Sequence, residues 1–179
     1  MAVAPVDDAL INVEHQLGIN PRSQMLASIM AKKVGTGVEY LLIDIPMGEG
    51  TKVPTEAVAR EYFDDFVELG RKLGIHVECR ISHSDQPIGH AVGPALEAKE
   101  CIEVLEGKIV SGSVVEKACD CAGIILGMGG IKDGAARARE ILASGEALRK
   151  FREIVEAQGG DPGVRSGDIP VGKHTFDIV

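Results

Sequence analysis

The 179 residues carry 27 Asp and Glu against 19 Lys and Arg, a formal charge of -8, with 45% apolar and 26% charged residues. This is the composition of a globular chain long enough to bury a core, and its negative balance excludes a general nucleic-acid binder. Phosphate-backbone affinity needs clustered cations, and two tyrosines and four phenylalanines leave little for base stacking. No apolar run approaches membrane-spanning length and no basic, apolar leader opens the chain, so a cytoplasmic protein with no membrane partner is expected.

In chain order, Met1 to Leu17 has no strong period, and the alternation through Leu10-Ile-Asn-Val13 predicts a short strand or an extended lead-in. Met25, Leu26, Ile29 and Met30 then recur at helical intervals. Pro21 reads as the first helical residue with Asn20 as its cap, and Gly35 and Gly37 end the helix. Tyr40 to Ile45 is an almost continuous apolar run, as in a strand buried on both faces. Pro46-Met-Gly-Glu-Gly-Thr-Lys52 leaves it as a glycine-punctuated loop. Pro54 at a first helical position, with Val58, Tyr62, Phe66, Val67 and Leu69 behind it, predicts a long amphipathic helix stopping before Gly74. Ile75 to Ile81 alternates as a second strand. The default connection between the two strands is a right-handed parallel crossover.

The second half reads as helical packing. After the polar loop from Ser82 to Gly93, Pro94 opens a helix that runs to Gly107. Ser113-Val-Val-Glu116 fits a capping box for another, stopped by Gly127-Met-Gly-Gly130. Two more helices are expected, from Ala135 to Ala143 and from Glu146 to Ala157, the last with Leu148, Phe151, Ile154 and Val155 on one face. From Gly159 onward breakers dominate, and only His174 to Val179 looks like a strand.

Chemistry concentrates between Asn20 and Lys52. Ser28 and Lys32 stand four apart on a predicted helix, so a hydroxyl and an ammonium share one face. Lys52 lies in the loop beyond a strand's carboxyl end, where ligands sit in open α/β sheets. Arg22, Lys32, Lys33 and Lys52 together supply the local positive charge that one anionic small molecule needs. A solvated helix face is the plain alternative for the Ser/Lys pair.

His83, Asp85 and His90 carry metal-ligating groups on one loop, but no helical His pair or matching cysteine pair supports a metal site, and none is expected. The elbow Gly-x-Ser-x-Gly of a Ser/His/Asp hydrolase is absent. Cys119 and Cys121 point about 200° apart around a helix axis. With Cys79 and Cys101 they read as reduced core residues.

Five blocks, in order, carry a resemblance. They are Ala27-Ser-Ile-Met-Ala-Lys-Lys33, Leu42-Ile-Asp-Ile-Pro-Met-Gly48, Gln86-Pro-Ile-Gly-His-Ala-Val-Gly-Pro-Ala-Leu-Glu-Ala-Lys-Glu100, Ser144-Gly-Glu-Ala-Leu-Arg-Lys-Phe151 and Ala157-Gln-Gly-Gly-Asp161. Together the chain resembles the thymidine phosphorylase family. Leu10-Ile-Asn-Val-Glu-His-Gln-Leu17, Ile43-Asp-Ile-Pro46 and Gly50-Thr-Lys-Val53 are most similar to its archaeal AMP phosphorylase branch.

The resemblance implies phosphorolysis of a nucleoside 5'-monophosphate, AMP and with it CMP or UMP, by inorganic phosphate. The products are free base and ribose 1,5-bisphosphate, and no cofactor takes part. Ser28 would contact the nucleotide, Lys32 would lie near the base, and Lys52 would pair with the 5'-phosphate. In the pyrimidine nucleoside branch an arginine reads the base from the segment before this helix, and none occurs between Met1 and Pro21. Asn20 stands where the AMP branch has an acidic proton donor. An amide can hydrogen-bond a ring nitrogen but is no acid, so Glu14 or His15 would supply the proton or turnover would be reduced.

The fold expected is α/β. A mixed sheet with parallel strands near 40–45 and 75–81 is flanked by helices, and the helix at 21–34 belongs to a small helical subdomain, as in nucleoside phosphorylases. Residues 1–163 would be the central part of the catalytic region, with a helical segment at about 14–37 and an α/β domain at about 38–163; 164–179 would begin a carboxy-terminal domain. The family's glycine-rich phosphate loop does not occur in the chain. A central piece, inactive alone and oligomeric when intact, is therefore expected. Two alternatives stay open: a pyrimidine nucleoside phosphorylase, and a nucleotide-binding module without chemistry.

Overall fold

The β-α-β crossover expected from the alternating periods forms the centre of the first half of the chain. The computed structural model describes residues 5–19 and 21–177. Its residues fall into two units, Met1–His83 and Ser84–Val179, each with a core of its own.

The first unit runs α1 (Pro5–Leu17), α2 (Arg22–Gly35), β1 (Tyr40–Met47), α3 (Glu56–Leu73) and β2 (His76–His83). The strands pair in parallel over their full length, Tyr40 opposite His76 and Met47 opposite His83. Among the described residues they are the whole of this sheet. Helix α3 lays Ala59, Tyr62, Phe66 and Gly70 against it, a stripe at three- and four-residue spacing. Its approach to β2 is close enough that a Cβ on Gly70 would meet Val77 Cγ2 at 2.3 Å. Gly74, at φ 74°, then turns the chain into β2 with the left-handed geometry that glycine tolerates. Helix α2 joins the same core through Met30, fully buried with Leu41, Ile45 and Phe66.

Three expectations in this unit are corrected. The lead-in is a helix, α1, and not a strand: Pro5 is its first residue and Asp7 and Asp8 occupy its first turn, the arrangement the helix dipole favours. Pro21 is the residue before α2 and not its first turn, with extended geometry at φ -69° and ψ 122°. Likewise Pro54 precedes the cap of α3, and the Thr55 hydroxyl accepts from the Val58 N–H at 3.4 Å.

The second unit is helical: α4 (Pro94–Leu105), α5 (Ser113–Met128), α6 (Gly134–Ala143) and α7 (Glu146–Ala157), then a single 3-10 turn at Ser166–Asp168. Val104, Val115, Cys119 and Ala138 form its core. Helices α5 and α6 meet backbone to backbone at Gly123 and Gly134, where a Cβ on Gly134 would lie 2.1 Å from the Gly123 carbonyl oxygen. The Ser113 capping box does not form; its hydroxyl instead accepts from the Gly89 N–H at 2.9 Å and holds the preceding loop. Glu106 anchors the 3-10 turn. It takes the buried Ser166 hydroxyl at 2.7 Å and the Lys108 ammonium at 2.8 Å, and these partners hold its carboxyl down to about 2. Residues 174–177 form no strand, since no described strand lies beside them to complete a ladder.

Candidate functional site

Helix α2 has two working faces. One carries Met30 into the core, and the other carries Ser28 and Lys32, as their spacing requires. Its start is fixed by Arg22, whose guanidinium binds Asp65 at 2.6 Å, pairs with Glu61, and lies 4.8 Å from the centre of the Tyr62 ring. Arg22 is thereby committed to α3. It leaves the set of cations that the sequence offered to an anionic ligand.

Ser28 and Lys32 are brought together, with Lys32 Nζ 3.1 Å from Ser28 Oγ. The residue that organises them was not singled out by the sequence: Asp7, on α1. One carboxylate oxygen, Oδ2, accepts from Ser28 Oγ at 2.9 Å and from Lys32 Nζ at 2.8 Å. The side chain of Asp7 is only 13% exposed, while that of Lys32 is 37% exposed. Hydrogen bonding to Lys32 first, and to Ser28 second, lowers the Asp7 carboxyl below its ordinary range, so it stands ionised at neutral pH. Pro5 at the head of α1 and the first-turn acids were the available signal for this helix.

Lys52 sits on the loop that follows β1. That loop is a small folded unit: Gly48 N–H donates to Val53 O at 3.1 Å, and Thr51 N–H returns to Gly48 O at 3.2 Å. The Thr51 hydroxyl lies within 2.8 Å of Gly48 O and accepts from Val53 N–H at 3.0 Å. Val53 is buried in the sheet's core, and Lys52 beside it is exposed. The loop thus fixes its backbone and presents the ammonium to solvent beyond the strand end. Among the described residues, no hydrogen bond or ion pair joins Lys52 to Ser28 or Lys32. Asn20, the position of the expected proton donor, lies outside the described residues. Of the two residues expected to supply the proton in its stead, both on α1, Glu14 is half-buried and His15 exposed.

The remaining candidates are placed as follows. The His90 N–H donates to Glu100 at 2.9 Å, tying the loop to α4 while the imidazole stays exposed. Among the described residues, no three His, Cys, Asp or Glu side chains are grouped to hold a metal. None of the four cysteines is joined in a disulfide. Cys119 is buried, and burial raises the Cys79 thiol to about 11. Cys101 is exposed and so is not the core residue expected of it. It lines an open, mostly apolar groove of about 530 Å³ together with Pro87, Ile88, Val114 and Cys121. No helix of the described residues is long and apolar enough to cross a membrane.

No protein-family model matches the chain. Curated proteins do. It is 53% identical over 179 residues to an AMP phosphorylase of Pyrococcus abyssi, a match covering 98% of this chain and 36% of that protein. An AMP phosphorylase of Thermococcus sibiricus is 53% identical over 181 residues, covering 99% of this chain and 36% of its own. AMP phosphorylase 1 of Archaeoglobus fulgidus is 49% identical over 177 residues, covering 98% and 35%. The chain therefore spans just over a third of the length of the curated relatives it matches. Along almost the whole of its own length it is similar to archaeal AMP phosphorylases, the branch that the segments at 10–17, 43–46 and 50–53 suggested.

Proposed function

We propose that the intact protein bearing this chain is a glycosyltransferase that cleaves AMP, and with it CMP and UMP, by phosphorolysis. The observation that carries this reading is the 53% identity over 98% of the chain to an AMP phosphorylase. In the proposed reaction an oxygen of inorganic phosphate bonds to the ribose anomeric carbon as the carbon–nitrogen bond to the base breaks. The bonding pair leaves with the base, which takes up a proton, and the sugar becomes ribose 1,5-bisphosphate. Charge develops on both fragments, so hydrogen bonds to the base and cations at the phosphates lower the barrier.

Ser28 and Lys32 hold the edge of the base, and Lys52 pairs with the 5'-phosphate. Asn20 donates a hydrogen bond to a ring nitrogen, and the proton comes from Glu14 or His15. Residues 1–163 act as the central part of the catalytic region, and 164–179 begin a further domain. The reaction needs no cofactor. The protein works in the cytoplasm as a homo-oligomer, with no nucleic-acid or membrane partner, on two anionic small molecules. The cations of α2 and the β1 loop support that substrate class in a chain whose overall net charge is -8.

The test compares AMP with adenosine and thymidine in the intact protein and its Lys52→Ala variant. Losing one charge-assisted contact should lower kcat/KM for AMP by about 10- to 100-fold and leave the nucleosides unchanged. Turnover of thymidine alone would replace this reading with a pyrimidine nucleoside phosphorylase. Binding of AMP without turnover would replace it with a nucleotide-binding module.

A further inference from the structure

The Asp7, Ser28 and Lys32 triangle fixes more than position. An ionised carboxylate can only accept hydrogen bonds, and an ammonium can only donate them. The Ser28 hydroxyl has one proton and two lone pairs. With Asp7 Oδ2 at 2.9 Å and Lys32 Nζ at 3.1 Å, its proton goes to Asp7 and one lone pair goes to Lys32. One lone pair remains. Lys32 has three N–H groups, spends one on Asp7 and one on Ser28, and keeps the third. What faces a ligand is an acceptor on Ser28 beside a donor on Lys32, about 3 Å apart.

We infer that Asp7 is a specificity-determining residue: by taking the Ser28 proton it obliges the bound base to present a hydrogen-bond donor next to an acceptor. An exocyclic amino group beside a ring nitrogen, as on adenine or cytosine, satisfies this pattern, and so does a ring N–H beside a carbonyl oxygen. An edge without that donor leaves the Ser28 lone pair unmatched, and a ring nitrogen placed there instead meets it lone pair to lone pair. The penalty is that of an unmatched polar pair in a site built for hydrogen bonding, where discrimination is strongest. Asp7 sets this pattern from α1 and acts through Ser28. Without it the hydroxyl is free to rotate and donate, and an acceptor-only edge becomes tolerable.

The inference rests on the proposed placement of Ser28 and Lys32 at the base, and the experiment separates the two. The probes are AMP and purine riboside 5'-monophosphate, which keeps the ring nitrogens of AMP and lacks its amino group. The ratio of their kcat/KM values is measured for the intact wild-type protein, Asp7→Ala and Asp7→Asn. Differences in leaving-group reactivity between the two bases cancel when ratios are compared across variants. Asp7→Ala should collapse the wild-type preference for AMP by about tenfold or more, through a gain on purine riboside 5'-monophosphate relative to AMP. Asp7→Asn, whose carbonyl oxygen still accepts from both partners, should restore the ratio even with lowered turnover. If Asp7→Ala does not fold, Ser28→Ala removes the acceptor directly and should collapse the same ratio. An unchanged ratio in Asp7→Ala, or in Ser28→Ala where that variant stands in, overturns the inference while nucleotide turnover survives. Absence of turnover of both nucleotides by the wild-type protein overturns the functional reading and this inference with it.

Discussion

Replacing a helical glycine by alanine ordinarily stabilises a protein, by about 0.4–1 kcal/mol, because the unfolded chain loses freedom. Helix α5 should show both signs of this effect within two turns. At Gly127 nothing lies within 4 Å of an added Cβ, so Gly127→Ala should follow the ordinary rule. At Gly123 the same Cβ would lie 2.5 Å from the Ala135 nitrogen and 2.7 Å from its Cα. Those are backbone atoms of α6, which cannot swing away as a side-chain tip can. Relieving them means separating α5 from α6 by most of an ångström along the contact that buries Cys119 and Ala138. Overpacking of that kind costs roughly 1–3 kcal/mol, enough to reverse the propensity gain. Urea unfolding of the two single variants measures the difference. The expected result is a higher midpoint for Gly127→Ala and a lower one for Gly123→Ala, with unchanged slopes. A Gly123→Ala variant as stable as Gly127→Ala would refute the close helix contact.

Two further outcomes follow from the cores and the charges. Phe66 is 2% exposed between α3 and the two strands, so Phe66→Ala should cost about 3–5 kcal/mol by chemical denaturation, whereas a change below about 1 kcal/mol would mean that its site is not packed. The Glu106 carboxyl is lowered from 4.5 to about 2 by Lys108 and Ser166, so its contribution is fully present above pH 4.5 and is lost as pH falls toward 2. Acid titration of Glu106→Gln beside wild type should therefore remove part of the stability loss in that window; parallel curves would contradict the pairing.

Legibility in the sequence followed how local each signal was. Helix α3 and strand β2 were readable because the apolar spacing of Val58, Tyr62, Phe66 and Leu69 and the terminating Gly74 lie within one short segment. Helix α7 was readable for the same reason, from Leu148, Phe151 and Val155. Helix α1 was not. Its apolar residues Val6, Leu10, Val13 and Leu17 do recur at helical spacing, but all four are exposed, and adjacent Leu10, Ile11 and Val13 imitate a strand's alternation. Missing α1 hid Asp7, since a carboxylate 21 residues before Ser28 and 25 before Lys32 becomes their partner only once both helices are in place. Ser28 and Lys32 themselves were legible, because a four-residue spacing on one helix needs no tertiary knowledge. The fate of Arg22 was hidden in the same way as Asp7: its partners Glu61 and Asp65 are on another helix, some forty residues away. Ser113 shows the converse. A local capping pattern was present, and a tertiary partner, the Gly89 N–H, took the hydroxyl.

The most direct measurement follows the fate of phosphate. The intact protein is incubated with AMP and isotopically labelled inorganic phosphate, and the sugar product is separated and counted. Phosphorolysis requires that adenine appear only when phosphate is present and that the label be found on a sugar carrying two phosphates. Adenine released without phosphate, or labelled phosphate left wholly inorganic while AMP is consumed, would contradict the proposed reaction.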